Sequence, residues 1–115
     1  TPVQLAAPPL FVLGMRVRAA IRARLRENRT FLSAQLGHGS AIESLPTEAG
    51  WYATLRFPKT RTDEELALWL LSEHNTLVHP GYFFDFPTGA TYIVVSLLSP
   101  PLVFRLGMKA ILSAA

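Results

Sequence analysis

The chain has 115 residues, half of them hydrophobic and 17% charged, with a formal net charge of +3 and no cysteine. That length holds one domain with a real core, and the absence of cysteine excludes disulfides, thiolate metal sites and cysteine nucleophiles while fitting a reducing cytoplasm. The charged fraction lies below the roughly 25% usual for soluble domains and the mean hydropathy is positive at +0.26, so some apolar surface is expected to remain exposed, toward a membrane or toward another part of a longer protein.

At the start, Thr1 to Leu5 reads as an extended lead-in, and Pro8-Pro9 stands where a helix can begin, because a first-turn residue has no use for its N–H. Pro8, Pro9 and Gly14 keep every run short of the ~18 apolar residues a membrane span needs. A chain that starts at Thr1 without a signal-peptide pattern is therefore expected to be a piece of a longer protein. The helix is expected to reach about Leu36, with Val17, Ile21, Leu25, Leu32 and Leu36 on its buried face, a possible break at Gly14, and Gly37 as a left-handed cap. Six of the eleven basic residues lie between Arg16 and Arg29, and Arg18, Arg22, Arg26 and Arg29 form a stripe beside the apolar one.

A short strand is expected around 41–45, and 46–50 turns the chain into a strand over 51–57, whose Trp51, Ala53, Leu55 and Phe57 alternate with Tyr52, Thr54 and Arg56. Thr62 and Glu65 have the spacing of a capping box at the start of a helix that runs to about Asn75. The stretch 77–98 organises the rest. Leu77–His79 and Thr91–Leu98 are β-type runs, and Pro80-Gly81 and Pro87-Thr88-Gly89 supply turns between them. Ile93, Val94 and Val95 are apolar without alternation, the pattern of a central strand covered on both faces. Ser99 followed by Pro100-Pro101 caps a last helix with Phe104, Met108 and Ile111 on one face. The expected fold is α+β, with helices packed on one side of a small, mostly antiparallel or mixed sheet. One domain is expected over 1–115, with a helical segment 1–36, a sheet with one helix over 41–98, and a C-terminal helix in 99–115.

The chemistry-bearing residues are sparse. Lys59, in a polar turn, and Lys109, on the last helix, read as surface lysines. Asp85 reads as a turn residue. His38, His74 and His79 are scattered, without acids at metal-ligand spacing, and no glycine-rich phosphate loop or nucleophile elbow is present. Tyr82, Phe83, Phe84 and Phe86 would wall a pocket or clamp the domain to a neighbour. The arginine stripe leaves open a small basic nucleic-acid-binding module, although Glu27 interrupts it and a solvated helix face explains it better. A regulatory ligand-binding domain is a further alternative.

The order Arg22-Ala-Arg24, Asn28-Arg29, Leu36, Gly50-Trp51-Tyr52, a helix from Asp63 to Glu73, Pro80-Gly81, Phe84, Gly89 and a strand ending at Ser96 before a last helix resembles the C-terminal small domain of class I and II aminotransferases. These are pyridoxal-phosphate-dependent enzymes of fold type I. The resemblance covers nearly the whole chain and implies a parent that exchanges an amino group between an amino acid and a 2-oxo acid, built as a homodimer with a large catalytic domain on the same chain. It implies that the lysine holding pyridoxal phosphate lies outside this chain, which would be inactive alone and would bind no cofactor; the scattered histidines imply no metal site either. It also implies substrate-pocket positions at Pro80, Gly81, Phe84 and Val94. Members of the family usually carry an arginine two residues before the serine that Ser96 matches, where its planar fork grips a substrate carboxylate. Val94 stands there instead, with Arg105 as the nearest alternative cation. The departure leaves open a parent of the same fold with decarboxylase or lyase chemistry.

Overall fold

A computed structural model describes residues 1–37 and 39–114. In chain order they form α1 (Pro2–Gln35), β1 (Glu43–Ser44), β2 (Tyr52–Phe57), α2 (Asp63–His74), β3 (His79–Pro80), a 3-10 turn (Gly81–Phe84), β4 (Thr91–Ser96) and α3 (Pro101–Leu112). The four strands make one antiparallel sheet in the order β1-β2-β4-β3.

The sheet grows outward from β2 and β4. Their six-residue ladder pairs Tyr52 with Ser96 and Phe57 with Thr91, and the two-residue strands β1 and β3 flank it. Thr91 to Val95 are all buried, so β4 is the doubly covered central strand its unbroken apolar run predicts. Alternation sorts the side chains of β2 and β4. Ala53, Leu55, Phe57, Ile93, Val95 and Leu97 join Leu32, Leu66, Leu70, Phe104, Met108 and Ile111 in one apolar cluster, so the three helices lie on a single face. Trp51 departs from its expected inward place and is 48% exposed, because the chain enters the sheet only at Tyr52.

Local chemistry sets the helix ends. Thr62 and Glu65 form the reciprocal capping box, with the Thr62 N–H donating to Glu65 Oε2 at 2.8 Å and the Glu65 N–H donating to Thr62 Oγ1 at 3.2 Å. The Thr62 backbone amide, and then its hydroxyl, hold the Glu65 carboxyl below its ordinary range, with Arg61 adding to the effect. Asn75 closes α2 in the left-handed conformation at φ 49°. At α3 the N-cap is Pro100, not Ser99; the Ser99 carbonyl is engaged instead by Asn28.

The largest departure from the sequence pattern is α1. It is one helix from Pro2, with no extended lead-in, no start at Pro8 and no break at Gly14, and it carries Pro8 and Pro9 inside. Two prolines in succession withhold two intrahelical N–H donors, leaving the Gln4 and Leu5 carbonyls to solvent on an exposed stretch where water can serve them. The helix ends on Leu36 at φ −96°, ψ 45°, without the expected Gly37 cap. At 1.5 Å per residue its 34 residues span about 51 Å, which accounts for the molecule's 53 Å long axis against 28 and 27 Å. Only Asn28 and Leu32 of α1 are buried. Leu25 and Leu36 pack partly on the core, while Val17 at 61% and Ile21 at 38% are exposed despite sharing the expected buried face. The apolar stripe thus runs past the end of the body it covers.

Asn28 fixes where that happens. Its side-chain amide donates to the Leu97 carbonyl at 2.9 Å and the Ser99 carbonyl at 2.8 Å, so α1 is stitched to the segment joining β4 to α3. These carbonyls lie beyond the sheet ladder, and a buried carbonyl requires a donor.

Candidate functional site

The face of the sheet away from the helices carries the even-numbered residues of β2 and β4. Cross-strand pairing sets His79 beside Val94 and Thr54 on the other side of Val94, with Tyr52 beside Ser96 in the next row. Paired residues of an antiparallel ladder share a face, and their Cα atoms stand about 4.5–5.5 Å apart. Val94 is therefore the middle of a row, 3% exposed, between a hydroxyl-bearing and an imidazole-bearing neighbour.

Aromatic rings rim this face. Tyr52 lies 6.0 Å from Trp51 and 6.4 Å from Phe84 between ring centroids, and the His79 ring lies 6.2 Å from Phe83 and 6.3 Å from Phe84. Tyr82 meets Phe83 edge-on at 4.8 Å. All six rings are exposed, so this is a rim and not a core. Phe86 differs from its neighbours, stacking on Tyr92 at 4.9 Å and 18°, which leaves it a packing role.

The 3-10 turn that presents Phe83 and Phe84 depends on Pro80 and Gly81. Pro80, buried at the edge of the sheet, precedes the turn at φ −68°, ψ 147°. Gly81 presses against β4 so closely that a Cβ would come within 2.5 Å of Tyr92 Cβ and 2.7 Å of Asp63 Oδ2. No side chain fits there. Asp63 Oδ1 meanwhile accepts from the Tyr92 N–H at 2.8 Å, serving a β4 donor beyond the reach of the short β3, and the Thr91 hydroxyl donates to the Arg61 carbonyl. Asp85 ends the turn in the left-handed conformation at φ 56°. Of the four expected pocket positions, Phe84 and Val94 thus share the open face, each beside His79, while Pro80 and Gly81 shape the turn that puts Phe84 there.

Among the described residues, the cations stand elsewhere or are engaged. Arg56 shares the open face but pairs with Glu43 at 2.6 Å on the β1 side. Arg105 reaches Glu27 at 3.3 Å and lies over the Phe31 ring at 5.1 Å, on the helix side, so it does not stand in for a cation at Val94. The Lys59 ammonium donates to the Thr88 carbonyl, and Lys109 is exposed on α3. Arg16, Arg18, Arg22 and Arg26 are exposed along α1. His74 lies against Trp69 at 4.5 Å, and His38 lies outside the described residues. No group of three metal-ligating side chains occurs among the described residues.

Two hollows adjoin the sheet. One, of about 610 Å³, includes Thr76, His79, Val94, Ser96, Val103 and Leu106 in its lining, beyond the end of β3. The other, of about 700 Å³, lies around Ser40, Glu43, Arg56 and Lys59, where the cations are already engaged. The first therefore adjoins the open face, where Val94 and Phe84 are positions expected from the sequence and His79 and Tyr52 are neighbours that the pairing adds. The signal for His79 was its position before a proline on an edge strand, which became informative only with the register. No helix among the described residues is long and apolar enough to cross a membrane.

The chain matches no protein family profile and no curated protein. It is similar in structure to YbdL from Escherichia coli, reported to have a methionine aminotransferase function, with a TM-score of 0.73 over 98% of this chain and 22% sequence identity. The chain spans 30% of the length of that protein. Its α+β fold, three helices on a four-stranded antiparallel sheet, is therefore the fold of one part of an aminotransferase.

Proposed function

We propose that this chain is the C-terminal small domain of a pyridoxal-phosphate-dependent aminotransferase of class I or II, a cytoplasmic homodimer that exchanges an amino group between an amino acid and a 2-oxo acid. The observation that carries the reading is the likeness to an aminotransferase along 98% of the chain. The bare half of α1 supports the division into domains. Val3, Leu5, Leu10, Phe11 and Val17 are all more than 60% exposed, a run of large apolar side chains on one element of the kind that marks an interaction surface, and a large domain of the same polypeptide would cover it.

Among the described residues, the groups that a holding site for the cofactor needs stand apart from one another. Pyridoxal phosphate serves as an electron sink when a lysine, a carboxylate facing the pyridine nitrogen and phosphate donors converge on it. Lys59 is turned to a backbone carbonyl, Lys109 lies on an exposed helix face and Asp85 closes a turn. Those groups belong to the remainder of the parent. This domain contributes the aromatic rim around Val94, which borders the substrate and moves with it as the site closes over. Methionine, the amino acid named for the structural neighbour, has the apolar side chain that such a rim accommodates.

The test is the visible absorbance of the full-length protein with pyridoxal phosphate, before and after addition of methionine. A band that methionine changes is expected, together with no band for the 115-residue chain alone. A band on the isolated chain, or none on the full-length protein, would sink the proposal.

A further inference from the structure

We infer that His79 is the group on the open face that receives the carboxylate of the amino acid substrate. The inference rests on the aminotransferase reading and adds the residue that recognises the acid end of the substrate. A carboxylate leaving water must accept hydrogen bonds from donors at the site. The middle row of the open face offers Thr54, Val94 and His79. Valine has no donor, and a hydroxyl carries no charge. Arg56, one row away, is engaged by Glu43. Imidazole has one N–H donor when neutral and two when protonated, and it is the ionisable group in the row that holds Val94.

The backbone holds this imidazole in place. His79 precedes Pro80, and a residue before proline is kept in the extended region. Pro80 is buried and its pairing with Ile93 continues the ladder, so the strand cannot swing His79 away. The ring stands beside Phe83 and Phe84, while the residue remains exposed. The resulting surface has two parts: a run of rings from Trp51 through Tyr52 and Phe84, and the imidazole of His79 at its end. An amino acid with an apolar side chain has the matching division, with its side chain on the rings and its carboxylate on the imidazole. A zwitterion with a charged side chain would have to desolvate that charge against aromatic carbon.

The experiment compares L-methionine with 3-(methylthio)propylamine, the same molecule without its carboxylate, on the full-length protein loaded with pyridoxal phosphate. The concentration giving half of the absorbance change is measured for each, and separately each is titrated into cofactor-free protein by calorimetry. In the wild type, methionine is preferred. His79→Leu is expected to lower the methionine-to-amine preference by about ten- to a hundredfold, the range for a hydrogen bond to a charged group. His79→Gln, which keeps a neutral donor at an exposed position, should lower it less and guards against misfolding of the leucine variant. An unchanged preference in both variants overturns the inference, as does a wild type that responds to the amine as well as to methionine. A wild type with no band overturns the aminotransferase reading itself, a result distinct from either.

Discussion

The two faces of the sheet have opposite fates although they are built from the same two strands. Leu55, Ile93 and Leu97 on the helix side are fully buried under three helices, whereas Tyr52, His79 and Phe84 on the other side keep their rings in solvent. A single-residue step along β2 or β4 takes a side chain from one face to the other, because side chains alternate across a strand. The difference teaches that one face carries the stability of the chain and the other is free to carry recognition. Substitutions at the exposed positions of the open face, Tyr52, His79 and Phe84, should change what the protein binds at little cost to folding, and those on the covered face should do the reverse.

The strongest way to break the comparison is in the core. Leu55→Ala or Ile93→Ala is expected to lower the unfolding free energy by about 2–5 kcal/mol, since both side chains are fully buried; urea denaturation followed by circular dichroism measures it. A loss below about 1 kcal/mol would mean that the helices do not cover this face in solution. Next come the two positions where backbone geometry is at stake. Gly81→Ala should cost about 1–3 kcal/mol by overpacking against Tyr92 and Asp63, and the new methyl should displace the turn bearing Phe83 and Phe84, visible as changed near-ultraviolet circular dichroism. Asn28→Ala removes the donors of the Leu97 and Ser99 carbonyls and should cost about 1–3 kcal/mol, the penalty for stranded buried acceptors. Proteolysis rates in α1 should rise with it.

Smaller effects sharpen the picture. Thr62→Ala takes away the α2 N-cap and should cost about 1 kcal/mol. The same cap predicts a pH dependence. Because folding lowers the Glu65 carboxyl below its ordinary value, its contribution is present above the unfolded-chain value and is lost as pH falls through the lower folded one. Acid titration of wild type against Glu65→Gln should therefore diverge only above that acidic window. Smallest of all, Tyr52→Ala and Phe84→Ala on the open face should shift stability by less than about 0.5 kcal/mol. A larger loss would mean that the rim is structural, and the contrast between the faces would fail.

Much of this was legible where local chemistry decides. The Thr62/Glu65 pair, the unbroken apolar run of β4 and the Phe104, Met108, Ile111 stripe each act within a few residues, and each appears in the structure as its pattern requires. The register of β3 on β4 was not legible, because a two-residue strand containing a proline has no periodicity to read. His79 therefore looked like an isolated histidine until its pairing with Val94 was known. Asn28 was likewise hidden: its polar side chain on the apolar side of a helix becomes intelligible only beside the carbonyls of a segment about seventy residues away.

Local sequence patterns were enough for the order of the main helices and strands, the class of fold and the apolar side of β2, since these follow from helix and strand periods and from capping groups that act over one or two turns. Tertiary contacts alone settled that α1 is a single helix outrunning its own core, that Gly81 is needed for close approach to β4, and that Val94 stands beside His79, one row from Tyr52, within an aromatic rim. Those facts depend on contacts between residues distant in the chain, where the same apolar stripe can face a core, a partner or water according to what stands opposite it.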